Sequence, residues 1–365
     1  MNKNIYFVTP DMNVHSRGIL NIYKNVINLN KLGYKAYVVH FNTNFKMIQW
    51  YKFGKDMPFL KFHYLDKLFV INEQGQFIKA NREFGENDIW IIPEGFPALF
   101  PIFKQTFKFT CKMYMYAQGW SYILPSLTSV FGGQIPHLSQ IGVEGVITVS
   151  DCVKQYIIDL FNFPEELIFM LPNYIDTSIF NSDLGVEKVE DVIEDESGNL
   201  DIVEVEKPAQ KKNKICFMPR RGEESVYQTT IALIDKKLKG AWELKPLINM
   251  TQEQIAKELK QSKIFMHYTS GDGFAMPPLE AVMTSNVVVG NAGLGSLEYL
   301  QDALWVNPDD CRDPYAYCEA IEEAIKMISD LDYSEYKETL EELKERYSEI
   351  NYLKALDEIF KKLVV

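Results

Sequence analysis

The segment IFMHYTSGDGFAMPPLE, residues 264–280, carries the most informative pattern of the chain. Its first five residues form an apolar run typical of a buried strand, a glycine-containing loop follows, and two prolines open a helix at 277–284. Proline is tolerated in the first turn of a helix, because the N–H group that it lacks would have no helical partner there. The segment therefore predicts a strand, a loop and a helix of an α/β fold.

The loop of this segment has the chemistry of a phosphate or sugar site. Unpaired N–H groups of a loop and of a first helical turn make a positive concavity that attracts anions. Asp272 and Glu280 flank the loop eight residues apart. We expect Asp272 before the helix and Glu280 in its first turn, so that both carboxylates accept hydrogen bonds from vicinal hydroxyl groups of a ligand. The alternative is an N-capped helix that carries acidic residues without a role.

The same alternation of strands and helices extends through the chain. Strands at 4–9 and 36–40 enclose a helix that Gly33 closes, which is the pattern of a βαβ unit. Further strand-like runs lie at 67–71, 89–93, 112–117, 145–150, 214–218 and 287–290. Helices are predicted at 19–29, 226–238, 251–261 and, with apolar residues at a period of 3.6, from about 315 to 363.

Length and composition set the number of domains. A chain of 365 residues is long for one hydrophobic core, and its apolar fraction of 47% is enough to fill two. We therefore predict an α/β fold with two Rossmann-like domains that face each other across a cleft. The predicted boundaries are an N-terminal domain at 1–180, a linker or insertion at 181–212 and a donor-binding C-terminal domain at 213–344. A helix at about 345–365 is expected to pack back on the first domain.

An acidic segment interrupts the α/β pattern at 183–212. Between Asp183 and Lys207, ten acidic residues stand against two lysines, a net charge of −8 within the −12 of the whole chain, which leaves about −4 for the rest. A Ser-Gly-Asn turn signal at 197–199 separates two runs of mixed apolar and charged residues, which predicts a solvated hairpin or a mobile loop. We favour an insertion without chemistry over a binding element.

Charge and cysteine content exclude several classes of protein. The negative net charge argues against a nucleic-acid-binding protein. The five cysteines include no CxxC pair, and the N-terminal residues show no signal-peptide core, so that reduced thiols and a cytoplasmic location are expected. No apolar run approaches the roughly 20 residues of a membrane span, so any membrane contact is expected to be peripheral. The sequence does not indicate an oligomeric state.

The run GDGFAMPPLEA, residues 271–281, resembles the donor-sugar signature of the retaining GT-B glycosyltransferases of glycosyltransferase family four. The resemblance implies that Glu280 binds the ribose of a nucleotide sugar. It also implies that Asp272, where the family usually has glutamate, contacts the donor sugar. The backbone of four further residues is expected to line the pyrophosphate and the sugar, namely Gly273, Phe274, Ala275 and Met276.

A second stretch matches the same family. The sequence NAGLGSLE at 291–298 is similar to the family's glycine-rich loop that ends in glutamate. By this similarity Gly293, Gly295 and Glu298 are candidates for donor binding. The two glycines are adjacent in the family, whereas Leu294 separates them here.

A third stretch, LPNYIDTSIF at 171–180, is similar to a turn that ends the N-terminal domain in the family, and the strand and serine at 146–150 match what precedes it. The similarity makes Asn173 a candidate for the donor site. Tyr174 replaces the usual glycine of the turn, so the cost of a positive φ is expected to be met in another way.

Two arginines, Arg220 and Arg221, follow the strand predicted at 214–218, at the edge where α/β folds bind ligands. Guanidinium groups bind phosphate oxygens through paired hydrogen bonds, so we expect one of the two to neutralise a leaving diphosphate. Successive residues of a strand point to opposite faces, and we favour Arg221 for the cleft. The alternative is a surface ion pair with Glu223 or Glu224.

The first domain gives weaker signals. Gly18 lies in a Ser-Arg-Gly loop that is expected to approach the diphosphate or the acceptor, and the loop is not a GxGxxG motif of a dinucleotide site. Gln118 follows the strand at 112–117, near where many relatives have a histidine that faces the donor sugar, so it is expected to bind the sugar without acting as a base. Glu94 ends another strand and is expected either to face the cleft or to be structural.

The resemblance implies transfer of a sugar from a nucleotide-diphosphate-sugar donor to a hydroxyl group of a glycan, polysaccharide or lipid-linked acceptor, with retention of configuration. Asp272, Gln118 and one of the two arginines form the expected catalytic set. No cofactor is expected, because the nucleotide sugar is a substrate, and the resemblance implies no metal, because the GT-B fold usually needs none. Two alternatives stay open: a GT-B enzyme of another class, such as a sugar-nucleotide epimerase, and a catalytically inactive protein that binds a nucleotide sugar.

Overall fold

The structure of the chain is a computed structural model that describes residues 3–67, 69–71, 77–80, 87–194, 200–219, 224–269, 271–291, 293–330 and 333–364. Two open sheets of seven and five strands form its framework, and every strand pair within them is parallel. Two antiparallel hairpins are separate from these sheets. Parallel strands need crossover connections, which here are mostly helices, and the result is two Rossmann-like domains.

The strands are Asn4–Val8 (β1), Lys35–His40 (β2), Phe62–Tyr64 (β3), Phe69–Ile71 (β4), Phe77–Ala80 (β5), Ile89–Pro93 (β6), Lys112–Ala117 (β7), Gly145–Thr148 (β8), Ile168–Met170 (β9), Val186–Glu194 (β10), Leu200–Pro208 (β11), Lys212–Phe217 (β12), Glu243–Pro246 (β13), Ser262–Met266 (β14), Val287–Val289 (β15) and Trp305–Val306 (β16). The sheet of the first domain has the order β3-β2-β1-β6-β7-β8-β9, and that of the second domain has the order β13-β12-β14-β15-β16. The central strands β1, β6 and β14 are almost entirely buried, because helices cover both faces of a parallel sheet.

The α-helices are Arg17–Lys31 (α1), Leu99–Pro101 (α2), Trp120–Val130 (α3), Leu138–Ile141 (α4), Asp151–Phe161 (α5), Glu224–Leu238 (α6), Gln252–Gln261 (α7), Met276–Met283 (α8), Leu297–Leu300 (α9), Pro314–Asp330 (α10), Tyr333–Arg346 (α11) and Glu349–Leu363 (α12). Serine side chains cap the N-termini of three helices. Each hydroxyl group accepts a hydrogen bond from a backbone N–H group in the first turn, and the caps are Ser16 for α1, Ser150 for α5 and Ser348 for α12. Thr251 and Gln254 form a capping box at the start of α7.

Strand order locates the expected binding crevice. The order of the first sheet reverses between β1 and β6, and that of the second sheet reverses between β12 and β14. Ligands of open α/β sheets bind outside the carboxyl ends of the strands at such a reversal. The loops after β1, β6 and β14 therefore lie where a ligand between the domains would be bound.

The two domains share a hydrophobic cluster. Alternate residues of the second sheet point to opposite faces. Phe265 and Val288 belong to the same buried cluster as the first sheet, together with Leu279 and Met283 of α8. Residues of the other face, such as Ile264, pack in a separate cluster with α6 and α10. The side of the second domain that carries α8 therefore faces the first domain.

The C-terminal helix α12 packs on the first domain. The hydroxyl group of Tyr352 donates to Oδ1 of Asn25 in α1 at 2.6 Å, and the hydroxyl group of Tyr34 donates to Oδ1 of Asp357 in α12 at 2.8 Å. The ring of Phe360 lies 5.8 Å from that of Phe7 in β1. Among the residues that the structure describes, no helix combines the length and apolar content needed to cross a membrane.

The α/β class and most predicted elements are confirmed, with shifted ends. The segment at 183–212 contains the antiparallel hairpin β10–β11, which agrees with the predicted hairpin and not with the mobile loop. The turn predicted at 197–199 lies outside the described residues. The strand predicted at 67–71 is shorter and pairs in the small hairpin β4–β5 instead of joining the sheet.

Candidate functional site

Glu280 lies farther along its helix than predicted. Helix α8 begins at Met276, so Pro277 and Pro278 occupy the first turn and Glu280 lies one turn into the helix. The expectation of a first-turn carboxylate is therefore wrong, because the proline pair needs no N–H partners and lets the helix start earlier. The side chain of Glu280 is only 1% exposed.

The carboxylate of Glu280 contacts the first domain through one oxygen only. Its Oε1 forms an ion pair with Nη2 of Arg17, the first residue of α1. Its Oε2 is buried and has no hydrogen-bond partner among the described residues. Burial raises the pKa of this carboxyl group, and the charges of Arg17 and Lys24 oppose that increase. A buried carboxylate oxygen without a donor costs free energy, so a hydrogen-bond donor brought to Oε2 would be stabilising.

A polar face of α1 lies against Glu280. Arg17, Asn21 and Lys24 follow the i, i+4, i+7 spacing of one helix face and line a small cavity beside the carboxylate. Burial lowers the pKa of Lys24 to about 8, and the positive charge of Arg17 adds to that decrease. With its amide oxygen turned toward the guanidinium group, Gln252 of α7 accepts a further hydrogen bond from Arg17.

Asn173 and Tyr174 extend this face. Oδ1 of Asn173 accepts a hydrogen bond from Nδ2 of Asn21 at 2.8 Å, which places Asn173 beside α1. The ring of Tyr174 lies 4.6 Å from that of Tyr352 and 4.9 Å from Nζ of Lys24. Tyr174 is not among the residues with positive φ, so the strain expected from replacing a glycine does not arise.

The loop before α8 packs tightly against the first domain. A Cβ atom on Gly273 would lie 2.6 Å from the carbonyl oxygen of Gln118, so only glycine fits. The hydroxyl group of Ser150 donates to the carbonyl oxygen of Gly273 at 2.6 Å, and that of Ser121 donates to the carbonyl oxygen of Gly271 at 2.8 Å. The next three residues of the site predicted from sequence, Phe274, Ala275 and Met276, are buried.

The glycines after β15 support the same loop. Gly293 has a φ of 80°, and a Cβ atom there would lie 2.7 Å from the carbonyl oxygen of Asp272. A Cβ atom on Gly295 would overlap the carbonyl oxygen of Gly273. Both positions therefore need glycine, because the two loops touch through their backbones. The structure thus brings Gly293 and Gly295 together with the loop, and their contact with a donor stays a prediction.

Tyr299 supports the start of α8 from α9. Its hydroxyl group donates to the carbonyl oxygen of Ala275 at 2.6 Å. Burial raises the pKa of Tyr299 well above its ordinary value, and the negative charges of Asp272 and Glu280 add to the increase. Asp272 is half-buried.

Gln118 faces the start of α1. Its Nε2 donates to the carbonyl oxygen of Gly18 at 3.2 Å, so these two predicted residues lie together. The backbone N–H groups of Gln118 and Gly119 donate to Oε1 of Glu94 at 3.1 and 3.0 Å. Oε2 of Glu94 is buried without a partner in the described part of the chain, and burial raises the pKa of this carboxyl group to about 7.

Glu298 crosses the domain interface at a second place. Its Oε1 accepts the backbone N–H groups of Asp151 at 2.5 Å and of Cys152 at 3.4 Å, at the start of α5. A carboxylate is stabilised there by the free N–H groups and by the helix dipole. Burial nevertheless raises the pKa of Glu298 to about 7. The donor-binding role that the resemblance implies for Glu298 stays a prediction.

Arg220 and Arg221 lie outside the described residues, as do Gly222 and Glu223. Their assignment to the diphosphate therefore stays a prediction from the sequence. No group of three or more His, Cys, Asp and Glu side chains within the described ranges could hold a metal ion.

Two cavities differ in size and position. The cavity beside Glu280 has a volume of about 20 Å³, room for about one water molecule. A groove of about 540 Å³ lies at the base of hairpin β10–β11 and is lined by residues such as Asp183, Lys257 and Lys260. We assign the site to the small cavity, because it places a buried oxygen that lacks a partner in the described residues, Oε2 of Glu280, beside the cations Arg17 and Lys24.

The sequence placed the Ser-Arg-Gly loop, which contains Arg17, near the donor or the acceptor, but it indicated neither the pairing of Arg17 with Glu280 nor Lys24 as part of the site. Both cations lie on α1, whose other face is a run of buried apolar residues. The available signal was a stripe of polar residues at helical spacing on α1. Such a stripe does not indicate which side chain of another element it contacts.

Solved structures show which fold this arrangement belongs to. The chain is similar to the pneumococcal O-GlcNAc transferase GtfA in complex with UDP and GlcNAc, with 9% identity over 100% of this chain and 99% of that chain, at a TM-score of 0.64. It is similar to Anabaena HepE in complex with UDP-glucose, with 12% identity over 98% and 99% of the two chains, at a TM-score of 0.62. It is also similar to a glycosyltransferase from Rickettsia africae, with 14% identity over 100% and 99%, at a TM-score of 0.60. The fold is therefore GT-B. At the level of sequence, no family model and no curated protein matches the chain.

Proposed function

We propose that the protein is a retaining glycosyltransferase that takes a sugar from a nucleotide-diphosphate-sugar donor bound between its two domains. The observation that carries the proposal is the buried Oε2 of Glu280, which lacks a donor in the described residues and lies beside the start of α1. Ribose offers two adjacent hydroxyl groups, which are the donors that such an oxygen lacks. The resemblance of residues 271–281 to the family signature supports the same assignment.

The known ligands of similar structures agree with this chemistry. GtfA was solved with UDP and GlcNAc, and HepE was solved with UDP-glucose. A nucleotide sugar bound in the same way here would have its ribose at Glu280 and its sugar near Asp272 and Gln118. The diphosphate would lie near the loop before α8 and the start of α1, where Gly18 is the second helical residue.

The reaction breaks the bond between the anomeric carbon and the diphosphate oxygen, and the electron pair leaves with the nucleoside diphosphate. An oxygen of the acceptor hydroxyl group forms the new bond on the same face, and its proton passes to the departing phosphate. Positive charge at the diphosphate lowers the barrier, and such electrostatic stabilisation is worth about 3 kcal/mol for one well-placed donor. We expect Arg220 or Arg221 to supply this charge.

The donor requires the domains to separate. The cavity beside Glu280, at about 20 Å³, has no room for a nucleoside. Polar contacts across the interface, such as the pair of Arg17 with Glu280 and the bond of Ser121 to Gly271, would break on opening and form again when the domains close on the bound donor. Opening and closing by hinge motion is a common way to admit a ligand between two domains.

A donor-turnover assay tests the proposal. The protein is incubated with UDP-, GDP-, ADP- and dTDP-sugars, and released nucleoside diphosphate is measured with wild type and with Glu280→Gln. We expect release from one base class and at least about a tenfold decrease in the variant. Absence of release from every donor, with or without simple sugar acceptors, would contradict a transferase.

A further inference from the structure

We propose that Arg17 is a positioning residue of the donor site: its ion pair with Oε1 of Glu280 holds that carboxylate in the charged form and leaves Oε2 for the hydroxyl groups of a ribose. The role rests on the proposed function, since it specifies how the ribose-binding carboxylate is prepared. It assigns to the first domain a part of ribose recognition that the sequence signature, which lies wholly in the second domain, does not contain.

The geometry divides the two oxygens of Glu280 between two tasks. Oε1 is bound to the guanidinium group of Arg17, and Oε2 is buried without a partner among the described residues. With its amide oxygen turned toward the guanidinium group, Gln252 accepts a hydrogen bond from Arg17, and the Ser16 cap fixes the helix end that carries Arg17. A side chain held from two sides keeps its partner in one orientation, so Oε2 is presented rather than free to turn.

Charge around Glu280 also favours this role. Burial works against the anionic form, and Arg17 and Lys24 of α1 are the cations that oppose it. Asp176 lines the same cavity, and the buried hydroxyl group of Tyr299 lies on the side of α9. Burial lowers the pKa of Lys24 to about 8, so its charge is partly lost near that pH. A guanidinium group keeps its charge at every pH of interest.

Arg17 has a second conceivable task, which is to bind the donor phosphates directly from the end of α1. Nucleosides separate the two tasks, because they contain the ribose and lack the phosphates. If Arg17 acts through Glu280, its loss reduces the affinity for nucleosides and for nucleoside diphosphates alike. If Arg17 binds phosphate, its loss reduces the affinity for the diphosphates only.

The test is calorimetric titration with uridine, guanosine and adenosine and with their 5′-diphosphates, at about pH 6, 7 and 8. Arg17→Met is compared with wild type, Arg17→Lys and Glu280→Gln. Lys31→Met is the matched control, because Lys31 ends the same helix and pairs with another carboxylate, that of Asp56, at 2.8 Å. Thermal unfolding of each variant verifies that it is folded.

For the nucleoside that binds the wild type, we expect Arg17→Met to reduce the affinity by about tenfold or more at the lowest pH and by less at the highest pH. The sign follows from the carboxylate: without Arg17 its pKa is higher still, so protonation removes the anionic acceptor as pH falls. Arg17→Lys should restore part of the affinity, and Lys31→Met should behave as wild type. Glu280→Gln should bind the nucleoside weakly at every pH.

Two results overturn the role of Arg17 while leaving the ribose site intact. In the first, Arg17→Met loses affinity for the diphosphates only. In the second, Arg17→Met loses the same affinity for the nucleoside at every pH. In both cases Glu280→Gln still binds the nucleoside more weakly than the wild type. A Glu280→Gln variant that binds as wild type would instead overturn the ribose assignment, and with it this role. The same holds for a wild-type protein that binds none of the six probes.

Discussion

Glu280 and Glu298 both extend from the second domain to the start of a helix of the first domain, and they meet different partners there. Glu298 reaches α5, where Oε1 accepts two backbone N–H groups. Glu280 reaches α1, where Oε1 meets the side chain of Arg17 and Oε2 meets no donor in the described residues. The first contact is a helix cap made across the interface. The second leaves an acceptor that a ligand can complete.

The difference teaches how to separate structural from functional carboxylates at an interface. A backbone N–H group is fixed in place, and a carboxylate bound to it at a helix start contributes to stability as a cap does. A side-chain cation can hold a carboxylate charged while one oxygen stays open. We therefore expect substitutions at Glu298 to change stability more than affinity, and substitutions at Glu280 to do the reverse.

The largest expected effect is that of Glu280→Gln on nucleotide binding. Loss of a hydrogen bond to a charged group costs about 1.5–3 kcal/mol, which is about a tenfold to a hundredfold loss of affinity. The unfolding temperature should change less than the affinity, because the glutamine amide keeps an acceptor for Arg17, whose side chain is 30% exposed and can be hydrated. Calorimetry with UDP, GDP and ADP and a thermal melt measure the two quantities. Unchanged affinity together with a large loss of stability would make Glu280 a structural residue.

Glu94 combines both features, since Oε1 accepts two N–H groups and Oε2 lacks a partner in the described residues. Its pKa is raised by burial from 4.5 to about 7. Between these two values the unfolded chain releases a proton that the folded protein retains, so the free energy of unfolding falls as pH rises and is level above about 7. The shift corresponds to on the order of 3 kcal/mol.

Glu94→Gln should therefore reduce this slope, measured by guanidinium unfolding at several pH values between about 4.5 and 7.5. Some slope should remain, because the pKa of Glu298 is also about 7. The exposed Glu166 serves as control, and Glu166→Gln should keep the wild-type slope. An unaltered slope in Glu94→Gln would show that this carboxyl group is ionised in the folded protein.

Glu298→Ala should lower the free energy of unfolding by about 1–2 kcal/mol, as expected for the loss of a helix cap. Glu298→Gln retains a neutral acceptor and should lose less. Nucleotide affinity should stay within about threefold of wild type in both variants. The donor-binding role implied by the family resemblance requires the opposite, a large loss of affinity, so the two variants decide between the roles.

The smallest effect is expected for removal of hairpin β10–β11. The N–H group of Ala209 donates to the carbonyl oxygen of Gly185 at 3.1 Å, so the ends of the hairpin are adjacent and a short linker can replace it. Changing the length of such a loop costs little. Donor turnover and the unfolding temperature should stay near wild type. Loss of turnover in folded protein would place the acceptor site at the hairpin or at the groove beneath it.

The sequence predicted the parts of the site that are local in the chain. The strand, loop and helix around 264–284 follow from apolar runs, glycines and a proline pair, whereas the role of Glu280 as a ligand-binding carboxylate stays a prediction. The contact of Glu280 with Arg17 joins positions 263 residues apart, and no local pattern encodes such a pair. The helix start at Met276 differed from the expected start, because proline permits the first turn without fixing its beginning.

A crystal structure with the nucleoside diphosphate that binds most tightly tests the central claim most directly. We expect the ribose between α1 and α8, with a hydroxyl group at about 2.7 Å from Oε2 of Glu280 and with Arg17 bound to Oε1. A nucleotide bound instead in the groove lined by Lys257 and Lys260, with Oε2 of Glu280 left without a partner, would contradict it.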